Sequence, residues 1–214
     1  MRMSKLYMPT LREVPTEAEI PSHQLLLRAG MIRKADVGVY SYLPLGYRVL
    51  RKLENLIGQE MENIGAQELL TTNIQVEDFT KLIKSEVRSY KQLPLTFYNI
   101  HTRYKDELKP RFGLIRAKEY ITCDVYSYDR DVDGMENSYD NMLKACEKVL
   151  GKLNFKYKLA QRQEGHEFIA IAEKGEEALV YCEECDYAAN SLRAKVIYNI
   201  GEQDEEEKPM EKVH

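Results

Sequence analysis

Six cations fall between residues 103 and 118, namely Arg103, Lys105, Lys109, Arg111, Arg116 and Lys118, opposed within that span only by Asp106 and Glu107. Guanidinium groups grip phosphate oxygens through paired N–H bonds, so such a cluster suits a phosphate-rich ligand such as ATP or the end of a nucleic acid. A charged hairpin that merely faces water has the same composition. A second candidate is Cys182-Glu183-Glu184-Cys185, a single CxxC. A closed zinc site needs four ligands, and the other thiols, Cys123 and Cys146, lie far away in sequence. The pair therefore reads as a structural turn, as half a metal site, or as a redox dithiol, although no thioredoxin-like βαβ unit surrounds it. His166-Glu167, at the start of a strand pattern, could orient a ligand or form a plain surface pair. His23, His101 and His214 have no partner within motif distance, and no Walker loop, GxGxxG, HExxH or GxSxG is present.

The cations need a scaffold, and the flanking residues describe one. Leu95–Lys105 and Lys118–Tyr128 alternate and are rich in aromatic and β-branched residues, which predicts two strands of an antiparallel hairpin. Between them, Asp106–Ala117 is a polar loop containing Pro110 and Gly113. Upstream, Leu45, Val49, Leu53, Leu56, Ile57, Met61 and Ile64 recur at three- and four-residue steps until Gly65, predicting an amphipathic helix of about five turns. Shorter helices are expected over His23–Met31 and Asp78–Tyr90. A longer one with its apolar face on Tyr139–Leu153 is expected to be capped by Asn137 or Ser138. Val39–Leu43, Phe155–Gln161, Glu167–Ala172 and Ala178–Tyr181 are further strand candidates. Antiparallel strands with helices between them make an α+β architecture.

Composition bounds the class. The 214 residues carry 31 Lys+Arg against 35 Asp+Glu, a net charge of −4, which excludes a chain that is basic overall. Hydrophobic content of 43% fits a globular domain rather than disorder. No apolar run approaches the ~18 residues of a membrane span, so no membrane partner is expected. Four cysteines do not make a disulfide framework, which points to a reducing, cytoplasmic setting. The stretch GEQDEEEKPMEKVH, with six acids against two lysines, reads as a solvated linker or tail.

Taken in order, SKLYMPTLREVPTEAEIPSHQLLLRAGMI, YSYLPLGYRVLRKLENLIGQEMENIGAQELL, SEVRSYKQLPLTFYNIHTRYKDELKPRFGLIRAKEY and YCEECDYAAN resemble bacterial-type prolyl-tRNA synthetases over nearly all of residues 1–198. The resemblance implies the class II synthetase fold, an antiparallel sheet flanked by helices, here incomplete. It also implies dimerisation partly through the helix at 45–64. The implied chemistry is activation of proline with ATP and Mg²⁺, followed by esterification of tRNA-Pro. On this resemblance residues 1–198 form a partial catalytic core, and 199–214 an acidic tail leading toward an editing domain that the sequence lacks.

The cationic hairpin matches the family's second signature motif, in which the Arg of an F-R-D-E pattern holds the α-phosphate and the substrate carboxylate. Here the four residues are Tyr104-Lys105-Asp106-Glu107, so Lys105 replaces that Arg. Glu107 matches the adenine-side Glu, Arg111 and Arg116 match arginines near the ATP phosphates and the acceptor end, and His166 resembles a proline-pocket residue. Other positions depart from the pattern. Thr71-Thr72 stand where the family has a Pro, a stretch with the proline-clamping T-x-E element is missing between Leu70 and Thr80, and the loop before His166 is reduced to Gln163-Glu164-Gly165. The expectation is a relative whose autonomous catalysis is lost or impaired. The alternative is a non-catalytic partner that forms a homodimer, or a heterodimer with a full-length synthetase, or that binds the tRNA acceptor end.

Overall fold

The computed structural model describes residues 2–71, 76–162, 164–172, 175, 178–182, 184–185, 187–191 and 194. Residues 72, 163 and 199–214, on which some of the expectations above fall, lie outside that set. The chain divides into two compact units, Met1–Phe155 and Lys156–His214.

In the first unit, Pro21 opens α1 (Pro21–Arg28), since its fixed φ suits a first helical turn. Strands β1 (Ile32–Asp36) and β2 (Val39–Tyr42) pair antiparallel and lead into α2 (Pro44–Asn63), again with Pro at its first position. Then come the short β3 (Gln67–Glu68), α3 (Val76–Glu86), the long strands β4 (Leu95–Tyr104) and β5 (Glu119–Tyr128), and α4 (Val132–Lys152). Strands β4 and β5 pair antiparallel in unbroken register from Leu95↔Tyr128 to Tyr104↔Glu119, while β3 adds a parallel edge to β4.

Strand alternation gives that sheet two different faces. One face sends Tyr98, Ile100, Cys123 and Val125 into a core with Ile57 and Met61 of α2, Ile64 just past its end, and Met142 and Ala145 of α4. Tyr98 is 2% exposed and is the largest fully buried side chain. The opposite face carries Phe97, Asn99, His101 and Arg103, with Tyr126, Asp124, Thr122 and Tyr120 across from them. Phe79 of α3 covers one end of this face, its ring 4.8 Å from that of Tyr126 and 6.1 Å from that of Phe97. A second cluster joins Ala18, Leu27 and Ile32 to Tyr40, Tyr42 and Leu114, so the loop between β4 and β5 is pinned to the N-terminal layer. Each fully buried Leu or Ile there contributes on the order of 1.5–3 kcal/mol.

Several helix boundaries differ from expectation, α1 spanning Pro21–Arg28 rather than His23–Met31 and α3 starting at Val76 rather than Asp78. Helix α4 starts at Val132, not near residue 138, because the Asp131 carboxylate accepts the Gly134 N–H at 2.8 Å and caps an earlier turn. Helix α3 ends at Glu86 because Ser89 begins a separate 3₁₀ turn, in which the Gln92 side chain accepts the Ser89 N–H at 3.0 Å.

The second unit contains the antiparallel pairs β6 (Tyr157–Gln161) with β7 (His166–Ala170) and β8 (Leu179–Tyr181) with β9 (Ala188–Asn190).

Candidate functional site

The β4–β5 connection is a built structure rather than a loose charged tip. The Lys105 N–H donates to the Lys118 carbonyl at 2.7 Å, and the Arg111 N–H to the Arg116 carbonyl at 3.2 Å, which continues the hairpin past the ends of its strands. The Lys118 N–H donates to the Gly38 carbonyl at 2.7 Å, tying the stem to the β1–β2 turn. Phe112 and Gly113 turn the chain with φ values of 60° and 63°. Left-handed backbone is costly for a residue with a Cβ, so Phe112 is locally strained. The Arg111 guanidinium lies over its ring, 4.8 Å from the centroid.

Glu107 is the centre of this loop. It is 7% exposed and accepts from Arg116 Nη2 at 3.0 Å and from the Lys109 N–H at 3.2 Å, with Lys105 Nζ 3.7 Å from its second oxygen. The Arg116 bond, helped by the Lys109 N–H, holds the Glu107 carboxyl below the usual carboxylate range despite its burial. Lys105, Glu107 and Arg116 therefore converge, and Arg111 stands across the backbone bridge from Arg116. The Lys105 side chain is 64% exposed, so its charge is available to a ligand.

Behind the loop sits His23 of α1, 4% exposed, its ring edge-on to Tyr40 at 5.5 Å. Burial lowers its pKa, with Lys34 acting in the same sense and Glu17 and Glu19 opposing it. Gly113 lies so close to this ring that an added Cβ would sit 2.7 Å from it.

The polar face of β4–β5 holds residues that motif scanning missed. Asp124 Oδ2 accepts from Arg103 Nη2 and lies 3.0 Å from His101 Nε2, while its Oδ1 accepts from Thr122 at 3.3 Å. His101 thus has a partner, brought to it by strand register from 23 residues away. Beside it Asn99, 6% exposed, donates to Thr71 Oγ1 at 2.8 Å. The alternation of β4 and β5 was the one signal that could have grouped these side chains.

His166 opens β7 in the second unit, opposite Gln161, and is exposed. Cys182 and Cys185 lie in the turn between β8 and β9. No three His, Cys, Asp or Glu side chains converge as metal ligands among the described residues. A Mg²⁺ that arrives on nucleotide phosphates asks for only one or two protein carboxylates.

Residues 60–211 match the model of the tRNA synthetase class II core domain shared by the G, H, P, S and T enzymes. The chain belongs to that family. Within it the likeness is to the prolyl branch. A proline–tRNA ligase of Halothermothrix orenii is 42% identical over 255 residues, covering 100% of this chain and 45% of that ligase. One from Desulforamulus reducens is 43% identical over 94% of this chain and 43% of its own length. This synthetase-core chain thus spans a little under half the length of the curated relatives it matches. The first alignment runs 255 positions against 214 residues here, so about 41 positions of that relative have no counterpart.

Solved structures agree on the fold. A prolyl-tRNA synthetase of Cryptosporidium parvum, complexed with L-proline and AMP, superposes with a TM-score of 0.59 at 14% identity, covering 66% of this chain and 36% of that one. The Giardia lamblia enzyme in complex with prolyl-adenylate gives 0.53 at 19% identity, covering 60% and 35%. No described helix is long and apolar enough to cross a membrane.

Proposed function

We propose that this chain carries the nucleotide and acceptor-end half of a prolyl-tRNA synthetase site, and that by itself it no longer activates proline efficiently. The observation that carries this reading is the convergence of Lys105 and Arg116 on the buried Glu107. In the family reaction the proline carboxylate attacks the α-phosphorus of ATP, pyrophosphate leaves, and the tRNA 3′ hydroxyl then displaces AMP from the prolyl-adenylate. Lys105 places one positive charge where the α-phosphate and the substrate carboxylate meet. Glu107, held by Arg116, keeps the loop in shape and offers an acceptor toward the adenine. Arg111 and Arg116 serve the phosphates and the acceptor end, in a cytoplasmic reaction on tRNA-Pro. His166 lines the proline pocket in this reading, and Mg²⁺ comes with ATP.

Efficiency suffers for two reasons. A lysine is a point charge and cannot bridge two oxygens as the guanidinium fork does. The positions without counterpart include, on the sequence resemblance, the element that clamps the proline amino group, and adenylate formation needs all its parts positioned together. Proline-dependent ATP–pyrophosphate exchange by the purified chain should stay near background, and robust exchange would refute the proposal. Lys105→Arg should tighten ATP binding about tenfold, the value of roughly one charge-assisted hydrogen bond.

A second reading, a dimerising or acceptor-binding partner of a full-length synthetase, draws on α2 and the residues after it. The apolar positions Ile57 and Met61 of α2, with Ile64 just past its end, are filled from within the chain, yet Tyr47 and Val49 are 52% and 41% exposed and Leu70 is 89% exposed. Co-expression with a full-length prolyl enzyme, followed by size-exclusion light scattering, tests it, and two separate peaks would argue against it.

A further inference from the structure

The CxxC turn takes no part in the chemistry above, and it places two free thiols in one short hairpin connection. Tyr181 pairs with Ala188, and the Cys182 N–H donates to the Tyr187 carbonyl at 2.9 Å, so the hairpin closes tightly around the two cysteines. Within that turn the backbone N–H groups of Glu184 and Cys185, with the Cys185 side chain, act to lower the Cys182 thiol below its ordinary value. Both thiols are reachable, Cys182 partly exposed and Cys185 fully so. The positive end of Lys158 on neighbouring β6 adds to the field at Cys182. Cys123 and Cys146 are the contrast. Burial pushes the Cys123 thiol up to about 11 and raises Cys146 as well.

We infer that Cys182 and Cys185 form a reversible disulfide by exchange with a small disulfide of the glutathione class, Cys182 attacking and Cys185 resolving. The Cys182 thiolate attacks one sulfur of the small disulfide, a mixed disulfide forms, and one small thiol leaves, taking a proton. Cys185 then loses its proton and attacks Cys182 Sγ, which releases the second small thiol. Two protein thiols are oxidised by two electrons, and one small disulfide is reduced to two thiols. Cys182 is assigned the first attack because the neighbouring backbone N–H groups and thiol lower its pKa and favour its thiolate.

The test uses the full chain, reduced, desalted and exposed to oxidised glutathione at neutral pH, then acid-quenched and mapped by peptide mass spectrometry. The wild-type chain should yield an internal 182–185 disulfide that dithiothreitol reverses. Cys185→Ser should stop at a glutathione adduct on Cys182, and Cys182→Ser should react roughly tenfold more slowly than the wild type. Cys123 is the internal control, because a thiol at about 11 instead of the ordinary 9.0 carries on the order of a hundredfold less thiolate. A stable adduct on wild-type Cys182 without ring closure, or first attack at Cys185, would overturn the inference. So would a stoichiometric metal that protects both thiols.

Discussion

The position of the cationic loop rests on one close approach, and Gly113→Ala tests it. Gly113 has φ +63°, and an added Cβ would meet His23 at 2.7 Å from Cγ, 2.7 Å from Cδ2 and 3.1 Å from Cβ. The His23 ring has nowhere to go, being 4% exposed and wedged against Tyr40. Two costs therefore add. An L side chain in left-handed backbone costs about 1–2 kcal/mol. Overpacking a rigid buried contact costs about 1–3 kcal/mol more. Gly65 supplies the control, since it has φ +82° with nothing within 4 Å, so Gly65→Ala should show only the backbone cost. The assay is urea unfolding of both variants, with amide hydrogen exchange across residues 109–117 to locate the loosening. In a His23→Ala background the two 2.7 Å ring contacts disappear and only the 3.1 Å approach to the retained Cβ stays, so the penalty at Gly113 should fall most of the way to the Gly65 level. Equal costs at Gly113 and Gly65, or no relief from removing the ring, would refute the account of how the loop is held.

Other outcomes follow from the same physics. Gly151 lies in the last turn of α4 with open space around it, so Gly151→Ala should stabilise the chain by about 0.5–1 kcal/mol in the same unfolding assay. His23 has a pKa lowered from 6.5 by burial, so below pH 6.5 the unfolded chain binds a proton that the folded one resists. Stability should therefore fall as the pH drops from 6.5 toward the folded value, and His23→Gln should flatten that slope in unfolding midpoints compared across pH. Glu107 acts in the same sense from 4.5, since its Arg116 bond keeps it ionised in more acid solution and its contribution is lost as pH falls from 4.5 through that lowered value. Glu107→Gln should remove that part of the acid sensitivity, read from the same midpoints at low pH.

The elements that were legible in the sequence are those whose period a buried face enforces. The repeat through Ile57, Met61 and Ile64 gave α2 to within a residue at each end, and aromatic alternation gave β4 and β5, because one side of each lies on the core. Strand β1 was invisible because only Ile32, at 1% exposed, is anchored, while the charges after it run along an exposed edge paired with β2. The start of α4 was placed late because its first turn shows Val132 and Met135 to solvent, so the cap at Asp131 carried the signal and periodicity did not. Within the site, Lys105, Glu107 and Arg116 were readable because one short loop contains them all. The Asp124 cluster was not, because its members come together through the register of two strands.

On the sequence resemblance Lys105 and Thr71 depart from the family's pattern, and substituting the two should give opposite results. Lys105 is a departure that the surrounding structure has not absorbed. Its ammonium stands 3.7 Å from Glu107, and no contact there depends on its being a lysine, so restoring Arg adds donors without removing any packing. Thr71 lies in the segment where the family's pattern has a proline, and it has acquired a structural task. Its Oγ1 accepts the Asn99 amide at 2.8 Å, and its carbonyl lies 3.5 Å from the same nitrogen. Asn99 is 6% exposed and its Oδ1 has no hydrogen-bond partner among the described residues, so the amide has no spare bond there to lose. Thr71→Val keeps the side-chain shape and deletes the acceptor, leaving a buried donor short of its partner, at a cost of about 1–3 kcal/mol. Asn99→Leu in the same background should recover much of that loss, because a pair in which neither member is polar leaves nothing unsatisfied. If Thr71→Val were neutral by urea unfolding, the Thr71–Asn99 contact would be incidental, and the segment after Leu70 would count with Lys105 as unabsorbed change.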